Sequence, residues 1–343
     1  MAKRGIAVEI VFRHAVVRRF CAVAVCLVVA GRGLADAGEA VPAVRIGVQG
    51  QVGCGPNPKR VERLRITRAG TYENYLVDSG WAGGNRVKIT ADHVTLRNCE
   101  IRNATGNGVG VFADHVVIES CKIHHLLSGT YREQDDAHGV TGDGEDIVIR
   151  NCEIYYVSGD AVQFSPDRRP WDNVVIENCT FWTGPLPEDA GGFRRGERPG
   201  ENAFDSKQVP TNPRSNVTIR NCLFYGWNQP GQISLMAAIN AKEHVRVLVE
   251  NCVFRNNEVC FRLRGPTSRG GALVTIRNCV VYDSRVAVRM EDNIRDLRIE
   301  RLGFGPGVVR RYHQVGRGPW PGLEIHGEYA APPFEQLLRR GFP

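Results

Sequence analysis

Glu201, Asp205 and Lys207 lie within one short segment, Gly200-Glu-Asn-Ala-Phe-Asp-Ser-Lys207, at the exit of the long polar stretch Thr183 to Gly200. A positioned lysine amine can take a proton from carbon, and guanidinium groups such as those of Arg262 and Arg264 can grip a substrate carboxylate in two-pronged fashion. The oxygens of Asp160, Glu201 and Asp205 are of the hard kind that calcium takes. Asp160 and Asp205 are also the obvious pair for hydrolysis by two carboxylates, which in an inverting enzyme stand ~6.5–9.5 Å apart.

Alignment is what groups these residues. Gly108-Val-Gly-Val-Phe112, Gly139-Val-Thr-Gly-Asp143, Ala161-Val-Gln-Phe-Ser165, Ala203-Phe-Asp-Ser-Lys207, Cys260-Phe-Arg-Leu-Arg264 and Ala287-Val-Arg-Met-Glu291 share one alternating pattern. Ala238-Ile-Asn-Ala-Lys242 is the best match for a seventh. Period-two alternation makes each a short strand with one buried face. Val162 and Phe164, or Phe261 and Leu263, then point inward, and two outward columns remain. One reads Gly110, Thr141, Gln163, Asp205, Asn240, Arg262, Arg289; its neighbour reads Phe112, Asp143, Ser165, Lys207, Lys242, Arg264, Glu291. An ordinary solvated face carries charges too, and a surface Lys207 paired with Asp205 is the plain alternative. Asp160, with His138 and Asn202 at equivalent strand starts, is as readily a turn residue as a site residue.

These strands belong to a repeat. Val94-Thr-Leu-Arg-Asn-Cys-Glu-Ile101 recurs with its cysteine at 99, 121, 152, 179, 222, 252 and 279, and Leu297-Arg-Ile-Glu-Arg-Leu-Gly-Phe304 is a decayed eighth copy. Asn precedes most of these cysteines and tolerates the left-handed conformation of a one-residue bend. Intervals that vary around a fixed frame are those of solenoid coils with loops inserted on one face. Three parallel strands per coil, stacked about 4.8 Å apart, predict an all-β, right-handed parallel β-helix of eight to nine coils over residues 61–304. Residues 38–60 are expected to cap one end. The tail 305–343, with a short helix at Phe334 to Arg340, is expected to cap the other.

With Ala69-Gly-Thr-Tyr-Glu-Asn-Tyr-Leu-Val-Asp-Ser79 and the repeated Asn positions, the chain resembles the pectate-lyase-like superfamily of right-handed β-helices over roughly residues 60 to 305. The resemblance is specific for fold and weak for reaction, since lyases, hydrolases, epimerases and adhesins share this scaffold. In that superfamily the second strand and the loop before it form a polysaccharide groove. On such a groove these residue types suit a lyase of an acidic, uronate-containing polysaccharide, with Lys207 as base, Arg262 or Arg264 on the carboxylate, and His138, Gln163, Lys242 and Arg289 as substrate contacts. Calcium at Asp160, Glu201 and Asp205 is the expected cofactor. The alternatives are the Asp160/Asp205 hydrolase and a non-catalytic carbohydrate-binding β-helix. The long loops Ser128 to Ala137 and Thr183 to Gly200 beside a rigid sheet favour a cleft.

Arg18-Arg19, the apolar run Phe20 to Ala30 and Ala35-Asp36-Ala37 read as a secretory signal over residues 1–37, too short in its apolar part to span a membrane. A secreted or periplasmic monomer is expected. Without six basic and two acidic leader residues, the formal charge of +7 falls to +3, no footprint for nucleic acid. Two of the eleven cysteines lie in that leader, and seven occupy one inward column. Such a column suits small buried thiols better than disulfides. His124-His125 is expected in a solvated loop rather than at a metal.

Overall fold

The computed structural model describes residues 45–228, 233–316, 322–340 and 342, and the expected leader lies outside them. The first residues of the repeat copies stack in register: Val116, Ile147, Val174, Val217, Val247, Val274 and Leu297 pair successively in parallel. The decayed copy at Leu297 is thus a genuine coil, because inward Leu297, Ile299 and Leu302 keep the apolar positions although the cysteine is gone.

Each coil contributes two short strands separated by a bend, and then a third strand across the interior. The bend residue is left-handed throughout: Asn98 (φ 51°), Ser120 (51°), Asn151 (51°), Asn178 (53°), Asn221 (57°), Asn251 (51°), Asn278 (48°) and Arg301 (57°). Asn bears this conformation at little cost. Its amide also bonds the next rung, as in Asn278 Nδ2 to Asn251 Oδ1 at 2.7 Å.

The seven repeat cysteines are buried free thiols. Their Sγ atoms lie against main-chain carbonyls of the preceding coil, as Cys152 Sγ does at 3.6 Å from Ile118 O. The apolar core runs without interruption from Ile66 to Phe304, and each fully buried aliphatic side chain in it contributes roughly 1.5–3 kcal/mol.

The ends differ from expectation. Residues 45–56 run along the flank rather than across the end: Gly53 N–H donates to Ser120 O and Gly47 N–H to Asn221 O, both at 2.9 Å. The helix Phe334–Arg340 forms where expected, but Leu337 packs against Val253, Val280 and Tyr282 on the same flank. The strands Arg310–Gln314 and Leu323–His326 add a further partial coil. Apolar outward residues on the second strands of the later coils, Leu223, Val253 and Val280, require this lateral cover.

Candidate functional site

The third strands form a ten-stranded parallel sheet. Its outward column is Arg65, Lys88, Gly110, Thr141, Gln163, Asp205, Asn240, Arg262, Arg289 and His313, each paired with the next. The stretch from Gly110 to Arg289 matches the sequence alignment, the Ala238–Lys242 register included. Arg65, Lys88 and His313 extend it at the two ends.

A polar ladder climbs one edge. Asn107 Oδ1 accepts the His138 N–H (2.9 Å), His138 Nδ1 accepts the Asp160 N–H (2.9 Å), Asp160 Oδ1 accepts the Asn202 N–H (3.1 Å) and Nδ2 (2.8 Å), and Asn202 Oδ1 accepts the Ala237 N–H (3.1 Å). His138 and Asp160 therefore each carry a structural duty. Since His138 Nδ1 accepts, a neutral ring keeps its proton on Nε2, which faces the Gln163 amide at 3.0 Å and the Asp136 carboxylate at 3.8 Å. Burial pushes the imidazole down to about 4 against the opposing pull of Asp136.

Beside this ladder three carboxyls crowd together. Asp160 is fully buried and its Oδ2 has no hydrogen-bond partner; Asp205 is equally buried, with Oδ1 unpartnered and Oδ2 2.9 Å from Lys242 Nζ. Burial first, then the charges of Asp205 and Glu201, push Asp160 well above the usual carboxylate range. Glu201 is raised by burial and by Asp205 and Asp136. Burial raises Asp205 despite Lys242 and Lys207.

Lys207 leaves the end of the strand Asn202–Ser206. Its N–H donates to Phe164 O (3.0 Å) and its carbonyl accepts the Trp171 indole N–H (2.8 Å), which fixes the main chain beneath the side chain. Among the described residues no carboxylate lies within ion-pair distance of its ammonium. The structure thus joins Lys207, Lys242, Asp160, Glu201, Asp205, His138 and Gln163 in one neighbourhood.

The arginines stand apart and are occupied. Arg262 holds Glu291 through Nε and Nη2, both at 3.2 Å, Arg289 also bonds Glu291, and Arg264 Nε lies 2.9 Å from Asp292. Arg289 further sits 3.0 Å from His313 and lines a cavity with Leu235, Asp292 and Asn293. Strand alignment could not show this, because Glu291 comes from the neighbouring column.

Walls flank the sheet. The loops 128–137 and 183–200 are tied by the Gly200 N–H to Gln134 Oε1 (3.0 Å) and by an apolar cluster of Leu127, Tyr156, Leu186 and Phe193. Opposite, Arg168 grips buried Asp143 at 2.9 and 3.0 Å, and Arg169 reaches Asp114. For calcium, the unpartnered oxygens of Asp160 and Asp205 are suitable donors in kind. Yet among the described residues no group of three or more His, Cys, Asp or Glu side chains is placed to hold a metal ion, and Lys242 already supplies the cation at Asp205. The donor set does not fit a preformed calcium site.

His124 and His125 are in the strand Lys122–Leu126, not in a loop. His124 stacks on Tyr155 at 4.7 Å, Tyr155 on Trp182 at 4.3 Å, and Trp182 on Tyr225 at 5.8 Å. The signal was present in the sequence: an aromatic ring stands three residues after each cysteine in four consecutive coils.

The sequence profile of the family described as "Right handed beta helix region" matches residues 81–225 and 138–301. No curated protein matches the chain. Among solved structures it is similar to an alginate lyase from Paenibacillus sp. str. FPU-7, with 17% identity, 78% of this chain and 83% of that one covered, and a TM-score of 0.48. It is similar to pectate lyase Pel9A at 13% identity, with 82% and 71% covered and a TM-score of 0.46. The A-module of mannuronan C-5 epimerase AlgE6 from Azotobacter vinelandii shares 12% identity, with 84% and 88% covered and a TM-score of 0.30. At these identities the likeness says nothing of the reaction.

Proposed function

The chain belongs to the right-handed β-helix family, and on that premise we propose that it is a secreted lyase acting on an acidic, uronate-containing polysaccharide, with Lys207 as the base. One observation carries this reading: the Lys207 side chain has no carboxylate partner among the described residues, and it stands on a walled, outward-facing sheet beside Asp160, Glu201 and Asp205, three carboxyls that burial pushes upward.

In the proposed step the neutral Lys207 amine takes the proton alpha to the uronate carboxylate. The released electron pair forms the ring double bond as the glycosidic carbon–oxygen bond breaks, and the departing oxygen takes up a proton. A cation must steady the carboxylate while negative charge develops. Lys242 is placed for this one coil on, and Arg262 two coils, ~10 Å, from Asp205. Arg262 still has Nη1 for the purpose, since Nε and Nη2 serve Glu291. Arg264 and Arg289 act through Glu291 and Asp292, holding that end of the groove in shape. Calcium carries no step here.

The test is a screen of the full mature chain against acidic and neutral polysaccharides, with and without a chelator, following the ultraviolet absorbance of unsaturated product. Unsaturated product from a uronate polymer supports the lyase, and loss of it under chelation would return calcium to Asp160, Glu201 and Asp205. Reducing ends released without unsaturation would favour the Asp160/Asp205 hydrolase, which the raised Asp160 carboxyl suits in charge but its lack of exposed surface does not. Binding without any product would leave a carbohydrate-binding β-helix.

A further inference from the structure

The positive charge on the groove is unevenly available. At the later coils, Arg262, Arg264 and Arg289 all face Glu291 or Asp292, and Lys242 faces Asp205. At the earlier coils, Arg65 and Lys88 stand in the same outward column with no carboxylate within ion-pair distance among the described residues. Arg65 is exposed and Lys88 half-buried. The Lys88 ammonium lies 5.3 Å from the Phe112 ring centroid, and the Arg168 guanidinium lies 4.2 Å from it.

The floor between Lys88 and the centre is nearly neutral: Gly110, Thr141 and Gln163. A Cβ at Gly110 would come within 2.8 Å of Phe112 Cε2 and 2.7 Å of the Asn85 amide, so both side chains would have to shift. With glycine there, the Phe112 ring lies close over the strand and carries the Lys88 ammonium and the Arg168 guanidinium. From Lys88 to the coil of Asp205 and Lys207 is four strand steps, ~19 Å.

We propose that Arg65, Lys88 and Phe112 form a distal subsite for a carboxylated sugar, so that the bound polyanion extends from Lys207 toward the first coils rather than toward Arg289. This rests on the reading of the groove as a polyuronate site. An unpaired cation gains a partner when the substrate arrives, whereas Arg289 is already held by Glu291 and Arg262 has only Nη1 to offer. The subsite adds affinity only for chains long enough to reach it, and the gain weakens with salt because Arg65 is exposed.

The experiment measures the affinity of oligouronates of increasing length for the full chain carrying Lys207→Ala, which prevents turnover, with and without Lys88→Ala and Arg65→Ala. Affinity is expected to climb with length until the chain reaches Lys88, and the added substitutions to remove that climb, weakening the longest oligomers about tenfold, as two exposed ion pairs should. Lys88→Gln, which keeps the stem over Phe112, reports the charge alone should Lys88→Ala disturb the fold. An unchanged length dependence, or a climb abolished by Arg289→Ala instead, overturns the subsite while leaving the polyuronate reading intact. Absence of binding to any acidic oligomer overturns both.

Discussion

Lys242 Nζ lies 2.9 Å from Asp205 Oδ2, one strand step away, while Asp205 Oδ1 is buried with no partner. The carboxylate is therefore half satisfied, and Asp160 on the preceding coil is in the same state. Burial raises both carboxyls, and Glu201 beside them, above the usual range.

Asp160→Asn is expected to raise the melting temperature at pH 7 to 8. The folded-state carboxyl of Asp160 is raised above its unfolded value by burial and by Asp205 and Glu201, so it contributes stability below the unfolded value that is lost as pH rises. The substitution keeps an oxygen for Asn202 and removes the charge. Calorimetric melts from pH 4 to 8 should show the variant's advantage shrinking toward the acid end. An advantage constant with pH would mean that the gain is not electrostatic.

His138 contributes the opposite slope. Its ring is depressed to about 4 chiefly by burial, so stability is lost as pH falls from 6.5, with ~3 kcal/mol at stake between the two values. His138→Asn should remove that limb without breaking the ladder, because Asn107 and Asn202 serve as its rungs on neighbouring coils. Chemical denaturation at pH 5 and pH 7.5 measures it; a variant with the wild-type acid loss would clear His138 of the role.

Gly142→Ala should cost more than ~3 kcal/mol or prevent folding, since a Cβ there would stand 1.8 Å from Val111 O. Gly196 has a left-handed φ of 85° and open space around it, so Gly196→Ala should cost only about 1 kcal/mol. Comparable midpoint shifts for the two in urea would contradict the close coil contact at Gly142.

The cysteine column makes a chemical prediction. In native protein the seven repeat thiols should resist a thiol reagent, and after denaturation without reductant all seven should react. Burial and packing against carbonyls, not bonding, keep them silent. Recovery of most only after reduction would contradict the shared inward column.

The stacked frame was legible in the sequence because period-two burial and the Asn bends are local properties, repeated often enough to fix register from Gly110 to Arg289. Ion pairing was not, since whether Arg262 is spare depends on Glu291 one coil on and two residues along. The ladder role of His138 and Asp160 was equally hidden: it uses side-chain acceptors for main-chain N–H groups of the next coil, a relation without sequence spacing. Residues 38–60 were expected to cap one end because solenoid ends need cover; that 45–56 instead lie along the flank depends on contacts between distant coils, such as Gly47 with Asn221, that no local pattern shows.

Lys207→Ala is expected to lower turnover by a factor on the order of 10²–10⁴, the usual contribution of a positioned general base, with the melting temperature nearly unchanged. The Lys207 side chain leaves the strand end outward, and its structural contacts with Phe164 and Trp171 are main-chain ones that alanine keeps. Lys242→Ala should behave differently: it leaves buried Asp205 without its ion pair, a loss on the order of 3–5 kcal/mol if the carboxylate stays charged and less if it takes up a proton. Initial rates on the polymer identified in the screen, paired with thermal melts of both variants, separate the two lysines. Near-normal turnover in Lys207→Ala beside a folded but inactive Lys242→Ala would move the base to Lys242, and activity in both would remove the lysine mechanism altogether.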